Sequence, residues 1–383
     1  MRFTRIQLRN WKNFQNIDIK VGPRVFLIGP NACGKSNFLD AIRFLRDLVL
    51  PGGGLRSACD ARGGVSKIRC LSARGSSRLS IKVEMLIGDN EWSYQLEFTQ
   101  EPYGKRRPVL KKEIVQRNGE RILLRPDKYD DKDLVRLSQT YLEQISANAD
   151  FREVADAFEK ISYLHLVPQV VRGSKDLNVQ SPAFQTYGHG LLERMASANK
   201  TTRRARFRRI EKALQTTVPQ LTNLSIERDD RGVPHLNAKY EHWRPHGANQ
   251  TEEQFSDGTL RLIGLLWALQ DGEGPLLMEE PELSLHEAVV QHLPQLIYRA
   301  LIMKRRTPRQ VVISTHNATL LMDEGIGPEE VAAFYPMKEG TKIQLVNEIP
   351  HIRALMQENI TAGNAAIPST DPKDAHQLAF ALD

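Results

Sequence analysis

The chain has 383 residues, 40% of them apolar, enough to bury a sizeable core as one large domain with an insertion or as two lobes. That apolar content argues against disorder as the dominant state, and, at a formal net charge of +7, no run of about 18 apolar residues occurs, which argues against a helical membrane span. The three cysteines, Cys33, Cys59 and Cys70, are odd in number and lack zinc-ligand spacing, so they fit unpaired thiols in a reducing, cytoplasmic setting.

Residues 3–8 alternate, with Phe3, Ile6 and Leu8 apolar, and the pattern returns at Ile17-Asp18-Ile19-Lys20-Val21, predicting two short strands. Val25-Phe26-Leu27-Ile28 then reads as a buried strand running into Gly29-Pro30-Asn31-Ala32-Cys33-Gly34-Lys35-Ser36, which matches G-x-x-x-x-G-K-[ST]. A helical pattern follows at once, from Asn37 to Leu45. A strand that ends in such a loop and turns straight into a helix aims several backbone N–H groups, and the positive end of the helix dipole, at one point. A phosphate chain belongs there: Lys35 reaches the β- and γ-phosphates and the Ser36 hydroxyl holds Mg²⁺. Asn31, Gly34 and Asn37 fall within the same turn and join the nucleotide-binding set. Cys33, inside the loop, reads as a small residue that fits rather than as a nucleophile.

Pro51-Gly52-Gly53-Gly54 and Gly63-Gly64 read as a flexible connection. From Leu79 to Leu124, alternating segments separated by turns at Gly88-Asp89-Asn90, Pro102-Tyr103-Gly104 and Asn118-Gly119 predict an antiparallel meander. Residues 130–161 read as helical, with Leu134, Leu137, Tyr141, Ile145, Val154, Ala157, Phe158 and Ile161 at three- and four-residue spacing. Ile161 to Val167 is a further strand, closed by Pro168-Gln169. The next stretch is more polar and holds a basic helix around 201–217 and a strand pair, Leu224 to Glu227 and His235 to Tyr240.

Leu260 to Leu269 forms a strongly apolar helix, and Leu276-Leu277-Met278 a buried strand, read as lying beside the phosphate-loop strand, that runs into Glu279-Glu280. With a helical segment from Glu287 to Met303 and a strand Val311 to Thr315 ending at His316, this is parallel α/β packing. Glu279 would face the Mg²⁺ shell and Glu280 the γ-phosphate, because hydrolysis needs an oriented water and a second acidic group at the metal. The predicted division is a first half of the nucleotide-binding core at 1–168, an inserted, largely helical and basic lobe at 169–254, the second half at 255–350, and a C-terminal helix and tail at 351–383. The basic excess clusters at Lys105-Arg106-Arg107 with Lys111-Lys112, at Arg203 to Arg209, and at Lys304-Arg305-Arg306 with Arg309. Such runs serve as a footprint for DNA, as solvated faces, or as contacts to an acidic protein.

These residues carry a resemblance. Leu276-Leu277-Met278-Glu279-Glu280-Pro281-Glu282 with Ser284-Leu285-His286 resembles the Walker B segment and D-loop of ABC-type ATPases. Phe255-Ser256-Asp257-Gly258-Thr259 resembles their signature motif, and Ile313-Ser314-Thr315-His316 their switch histidine. Ile6 to Phe14 resembles the opening strand and turn of RecF-like and SMC-like heads. The combination is similar to stand-alone bacterial AAA_21/AAA_15 ATPases, which are related to the ATPase part of OLD-family proteins, over nearly the whole chain. It implies an α/β P-loop NTPase head of ABC/SMC type, a mixed sheet with an antiparallel meander and an inserted helical lobe.

The resemblance further implies ATP and Mg²⁺ as cofactors, with Glu280 polarising the attacking water, His316 contacting the γ-phosphate, and Gln169 joining Ser36 and Glu279 at the metal. Ser256 and Gly258 would bind the γ-phosphate of a nucleotide held by a second subunit, so that the working form is a head-to-head homodimer. Its output would be a switch on DNA or on an effector protein in trans, in anti-phage defence or DNA repair, with no membrane partner. Three positions depart from the pattern: Ala32 replaces a glycine and should only stiffen the loop, Glu279 replaces an aspartate, and Asp257 replaces a glycine and brings a negative charge. Among competing readings, an OLD-type nuclease would need more chain after His316 than is present, so cutting would fall to a partner. A transport subunit fits the meander, the RecF-like opening and the basic clusters poorly.

Overall fold

The computed structural model describes residues 1–73, 77–173, 188–241, 247–303, 308–358 and 360–369. Half-apolar alternation puts β1 (Arg2–Trp11) and β2 (Phe14–Lys20) on an antiparallel sheet, whereas β3 (Arg24–Ile28), buried at every position, needs cover on both faces. Helix α1 (Lys35–Val49) supplies one cover and buries Phe38, Leu39, Ile42, Phe44, Leu45 and Leu48. The glycine-rich stretch expected as a flexible connection instead carries two short helices, α2 (Leu55–Asp60) and α3 (Val65–Ile68), whose Leu55, Cys59, Val65 and Ile68 are buried. The meander forms as predicted, in β4 (Leu79–Ile87), β5 (Asn90–Gln100), β6 (Pro108–Arg117) and β7 (Glu120–Arg125). Strands β1 and β2 join it, giving the order β2-β1-β4-β5-β6-β7 with every pair antiparallel.

Residues 130–161, expected to be helical throughout, are so only in α4 (Arg152–Glu159) and in 3-10 turns at Leu134–Ser138 and Ala149–Phe151. Leu134 and Ile145 are 72% and 78% exposed, so their spacing marks no core-facing stripe. A buried ion network shapes the segment. Arg125 donates to Asp130 (2.6 and 3.0 Å), to Glu113 (3.3 Å) and to the carbonyls of Arg136 and Gln139 (3.0 and 2.8 Å). Glu113 also accepts from the backbone N–H groups of Tyr141 (2.8 Å) and Leu142 (3.1 Å). The chain loops over the sheet because this path, and not a helix, satisfies the buried charges.

The remaining elements are β8 (Ser162–Leu164), α5 (Pro168–Arg172), α6 (Leu191–Ser197), α7 (Lys200–Leu214), β9 (Leu221–Arg228), β10 (Pro234–Tyr240), β11 (Ala248–Thr251) and α8 (Asp257–Gln270). They continue with β12 (Leu276–Glu279), α9 (Glu287–Val290), α10 (Leu293–Tyr298), β13 (Val311–Ser314), α11 (Ala318–Leu321), β14 (Val331–Met337), β15 (Gly340–Leu345), α12 (Pro350–Gln357) and α13 (Ala362–Ala366). The second sheet has the order β15-β14-β3-β13-β12-β8 and is parallel except for β15. Strand β13 therefore lies between β3 and β12, so the strand that ends in Glu279 does not neighbour the phosphate-loop strand as expected. The helix read over Glu287 to Met303 is divided, because Pro294 sits in the first turn of α10 and a π-helical turn (Arg299–Met303) follows it.

The segment read as a largely helical lobe holds, in its described residues, α6 and α7 beside a three-stranded sheet of order β11-β10-β9. Its apolar side chains, among them Met195, Phe207, Ile210 and Leu236, share one core with Ile263 and Trp267 of α8. Of the third basic run, residues 304–307 lie outside the described residues, and Arg309 is buried, donating to the carbonyls of Ala268, Asp271 and Gly274. The predicted tail beyond 369 also lies outside them. Among the described residues no helix is long and apolar enough to cross a membrane.

Replacing Arg125 by alanine leaves Glu113 and Asp130 buried without their cation. The expected loss of stability in urea unfolding is about 3–5 kcal/mol, and a loss under about 1 kcal/mol would show that the network does not hold the 126–148 segment.

Candidate functional site

The phosphate-loop pattern folds as its residues require. The turn runs through positive φ at Gly29, Ala32 (62°) and Gly34 (105°), and α1 starts at Lys35. Ala32 does more than stiffen the loop, since a left-handed non-glycine residue carries roughly 1–2 kcal/mol of strain. A Cβ on Gly34 would lie 2.2 Å from Asn13 Nδ2, so only glycine lets Asn13 reach the loop. Asn13 Nδ2 donates to the Cys33 carbonyl (2.7 Å) and to Thr341 Oγ1 (2.7 Å), the Thr341 hydroxyl donates to the same carbonyl (2.7 Å), and Asn37 donates to Asn13 Oδ1 (2.8 Å). The β1–β2 turn and the β14–β15 hairpin thus bolt the loop from outside. Lys35 is buried, its ammonium donating to the carbonyls of Gly29 (2.7 Å) and Pro30 (3.2 Å), while Asn31 and Ser36 are exposed. Burial pushes the Cys33 thiol up, which fits a packing role.

Glu279 is held from two directions. The Ser36 hydroxyl donates to its Oε1, the Tyr163 hydroxyl donates to its Oε2, and His165 Nδ1 lies 3.3 Å from Oε2. Burial alone would raise the carboxyl pKa, but the hydrogen bonds from His165, Ser36 and Tyr163 outweigh it and bring it down to about 2. Burial and the neighbouring carboxylate push the Tyr163 phenol well up, so it remains a donor. The sequence reading missed both Tyr163 and His165. Their signal was the period-two spacing in β8, whose register pairs Leu277 with Tyr163 and Met278 with Leu164, making His165 the next neighbour of Glu279. Gln169, expected at the metal, lies on α5, where its side chain donates to Asp257 Oδ2 (3.2 Å).

Glu280 stands one residue beyond β12 with φ 44°, and its N–H donates to the Ser314 carbonyl (2.9 Å). Its Oε1 lies 3.0 Å from His316 Nδ1. Glu282 is buried, accepts from the Thr315 hydroxyl, and has its pKa raised by burial. Because Thr315 precedes His316, this contact ties the D-loop-like turn to the switch-like one. Ser256 caps α8, its Oγ accepting from the Thr259 N–H (3.2 Å). A Cβ on Gly258 would come within 2.6 Å of the Ser284 carbonyl oxygen, so glycine is what allows α8 to meet the D-loop-like turn. The charge that Asp257 brings is already paired, with Arg172 Nη2 at 2.7 Å.

Lys35, Ser36, Glu279, Glu280 and His316 therefore converge at the C-terminal edge of the parallel strands. Among the described residues, no hydrogen bond joins Ser256 or Gly258 to the phosphate loop. No group of three or more His, Cys, Asp or Glu side chains forms a ready-made metal cage among those residues. The pair of Ser36 and an ionised Glu279 fits a cation that takes its other ligands from phosphate and water, as Mg²⁺ does in phosphoryl-transfer sites.

The profile of the AAA_21 family, described as "AAA domain, putative AbiEii toxin, Type IV TA system", matches residues 24–323, so the chain belongs to that family. It is 32% identical over 133 residues to the DNA replication and repair protein RecF of Desulforudis audaxviator, covering 33% of each chain. Over 47 residues, 12% of this chain and 8% of the relative, it is 40% identical to the endonuclease GajA of Bacillus cereus. The matches thus span a third or less of these curated relatives. An Smc head domain with an extended coiled coil, bound to the C-terminal domain of ScpA and derived from Pyrococcus furiosus, superposes with a TM-score of 0.52 at 13% identity, over 94% of this chain and 99% of that one. This likeness shows the fold, an α/β head of ABC/SMC type.

Because the Glu279 pKa is depressed in the fold, its charge stabilises the protein fully above the ordinary carboxylate value of 4.5, and the contribution is lost as pH falls through about 2. Glu279→Gln should be less stable than the parent at neutral pH, and the gap should narrow as pH drops from about 5 to about 3. Denaturant titrations at several pH values check this, and a gap that does not vary with pH would contradict it.

Proposed function

We propose that this member of the AAA_21 family binds ATP with Mg²⁺ at the edge formed by Lys35, Ser36 and Glu279, and hydrolyses it with Glu280 as the base. The observation that carries the reading is the pair of adjacent carboxylates, one bonded to the phosphate-loop serine and the other to a histidine from the next strand. Lys35 exchanges the Gly29 and Pro30 carbonyls for phosphate oxygens. The N–H groups at the start of α1 receive the phosphate chain, to which Asn31, Gly34 and Asn37 belong by position. Bound Mg²⁺ neutralises charge on the β- and γ-phosphates. Glu280 accepts the proton of the attacking water, and His316 holds the Glu280 carboxylate at 3.0 Å and faces the γ-phosphate.

The reading continues to a dimer. Ser256 and Gly258, at the dipole-positive start of α8, meet the γ-phosphate of a nucleotide on a second copy, and ATP closes two heads that hydrolysis reopens. The output falls on DNA or on an effector protein in trans. Similarity to RecF supports the first, and the short match to an endonuclease supports an alternative in which a separate nuclease or toxin carries the output. On α7, Arg204 and Arg208 are exposed, whereas Arg206 is spent on Asp271 (2.8 Å) and Trp267, which narrows the basic surface left for DNA.

Glu280→Gln is expected to lower ATP turnover by about 10²–10⁴-fold while retaining ATP, and to accumulate as a dimer on size exclusion when ATP is present. Lys35→Ala should lose both binding and dimer. Turnover that survives replacement of both residues would refute the assignment. For the DNA output, affinity should fall steeply with salt and again when Arg204 and Arg208 become glutamine. A flat salt response would assign the output to a protein partner.

A further inference from the structure

We infer that His165, rather than Gln169, is the third protein donor to the divalent cation of this site, and that its imidazole biases the site toward Mn²⁺ over Mg²⁺. The inference rests on the nucleotide-site reading given above.

The position follows from the sheet. Strand β8 pairs with β12 in parallel, and the registered pairs end at Met278 with Leu164. One step further along both chains stand Glu279 and His165. Side chains two apart share a face, so Tyr163, His165 and Glu279 all project to the side from which α1 delivers Ser36. The contacts agree: Glu279 Oε1 takes the Ser36 hydroxyl and Oε2 faces His165 Nδ1 at 3.3 Å. One carboxylate therefore spans the serine hydroxyl and the imidazole nitrogen. Tyr163 donates to the same Oε2, so Glu279 keeps a hydrogen bond when the neutral imidazole takes the Nε2–H tautomer and Nδ1 offers its lone pair to a cation. The His165 side chain is 22% exposed.

Gln169 is committed elsewhere. It sits on α5, and its amide and the Arg172 guanidinium both engage Asp257. The chemical consequence concerns metal choice. A glutamine oxygen suits Mg²⁺, which prefers oxygen ligands and sheds water reluctantly, whereas an imidazole nitrogen shifts a site toward transition metals. Mn²⁺ accepts one nitrogen and still takes carboxylate, hydroxyl and phosphate oxygens.

The test uses the full chain with Mn²⁺ and a non-hydrolysable ATP analogue, read by pulsed EPR of the bound Mn²⁺. The parent protein should show coupling to a directly bound imidazole nitrogen. His165→Gln should retain Mn²⁺ and analogue but lose the coupling, and its preference for Mn²⁺ over Mg²⁺ in competition titrations should drop by about tenfold or more. Bound Mn²⁺ without nitrogen coupling in the parent, or coupling that persists in His165→Gln, overturns the inference and makes His165 a positioning residue that only donates to Glu279. Failure of the parent to bind Mn²⁺ with the analogue at all has a different signature, and overturns the nucleotide-site reading together with this one.

Discussion

The carboxylate of Glu279 is the point at which α1 and the edge strand β8 are joined: Ser36 donates to one oxygen, and Tyr163 and His165 address the other. Partial burial by itself raises the pKa of this acid, because desolvation penalises its charged form. Its donors reverse that preference, so a negative charge is kept in place at the mouth of the phosphate loop. Parallel pairing does the rest. Strands β3, β13, β12 and β8 run the same way, so the residues that follow their C-terminal ends emerge along one edge.

The phosphate loop is also fixed from behind. Helix α1 lies between the two sheets and packs against both. Phe38 meets Phe334 of β14 at 6.0 Å between ring centroids, and Phe44 meets Trp11 of β1 at 5.1 Å and Phe98 of β5 at 5.6 Å. Its polar residues find partners in the same layer, with the buried Arg62 spanning Asp40 and Asp47. Asn13 then reaches from the β1–β2 turn into the loop itself. The antiparallel sheet therefore helps to hold the Gly29–Ser36 loop, although none of its residues approaches the Glu279–Glu280 pair in the described contacts.

What could be read in advance divides along physical lines. The strand, loop and helix from Val25 to Leu45 were legible because hydrophobic run, glycine placement and periodicity all agree locally, and so was the meander, whose turns carry their own signals. The 130–148 stretch is not legible because Leu134 and Ile145 fall at helical spacing, while the path is set by buried charges, among them Glu113, which accepts from the backbone of Tyr141 and Leu142 across 28 and 29 residues. Strand order was beyond local pattern, since nothing in Leu276 to Glu279 states that β13 separates it from β3. The bond from Gln169 to Asp257 joins residues 88 apart and has no local signal either. Tyr163 and His165 did the work at Glu279, and only register with β12 makes that visible.

Three non-glycine residues around the site, Ala32, Glu280 and Ser284, hold left-handed backbone, at φ 62°, 44° and 60°. Such conformations persist only where surrounding contacts determine them, and the contacts here are named: the Asn13 bolt for the loop, the Ser314 carbonyl for Glu280, and the close approach of Gly258 for Ser284. The last of these joins the D-loop-like turn to α8, which in turn shares its core with α6, α7 and β9–β10. Gly264 lies on the same contact, where a Cβ would fall 2.1 Å from Leu166 Cδ1 and 3.3 Å from Leu191 Cδ2 of α6. A close-packed interface of this kind is poorly compressible and transmits strain. Displacement of the Ser256–Gly258 segment would therefore be passed on to α6, α7 and the β9–β10 pair, which share its core.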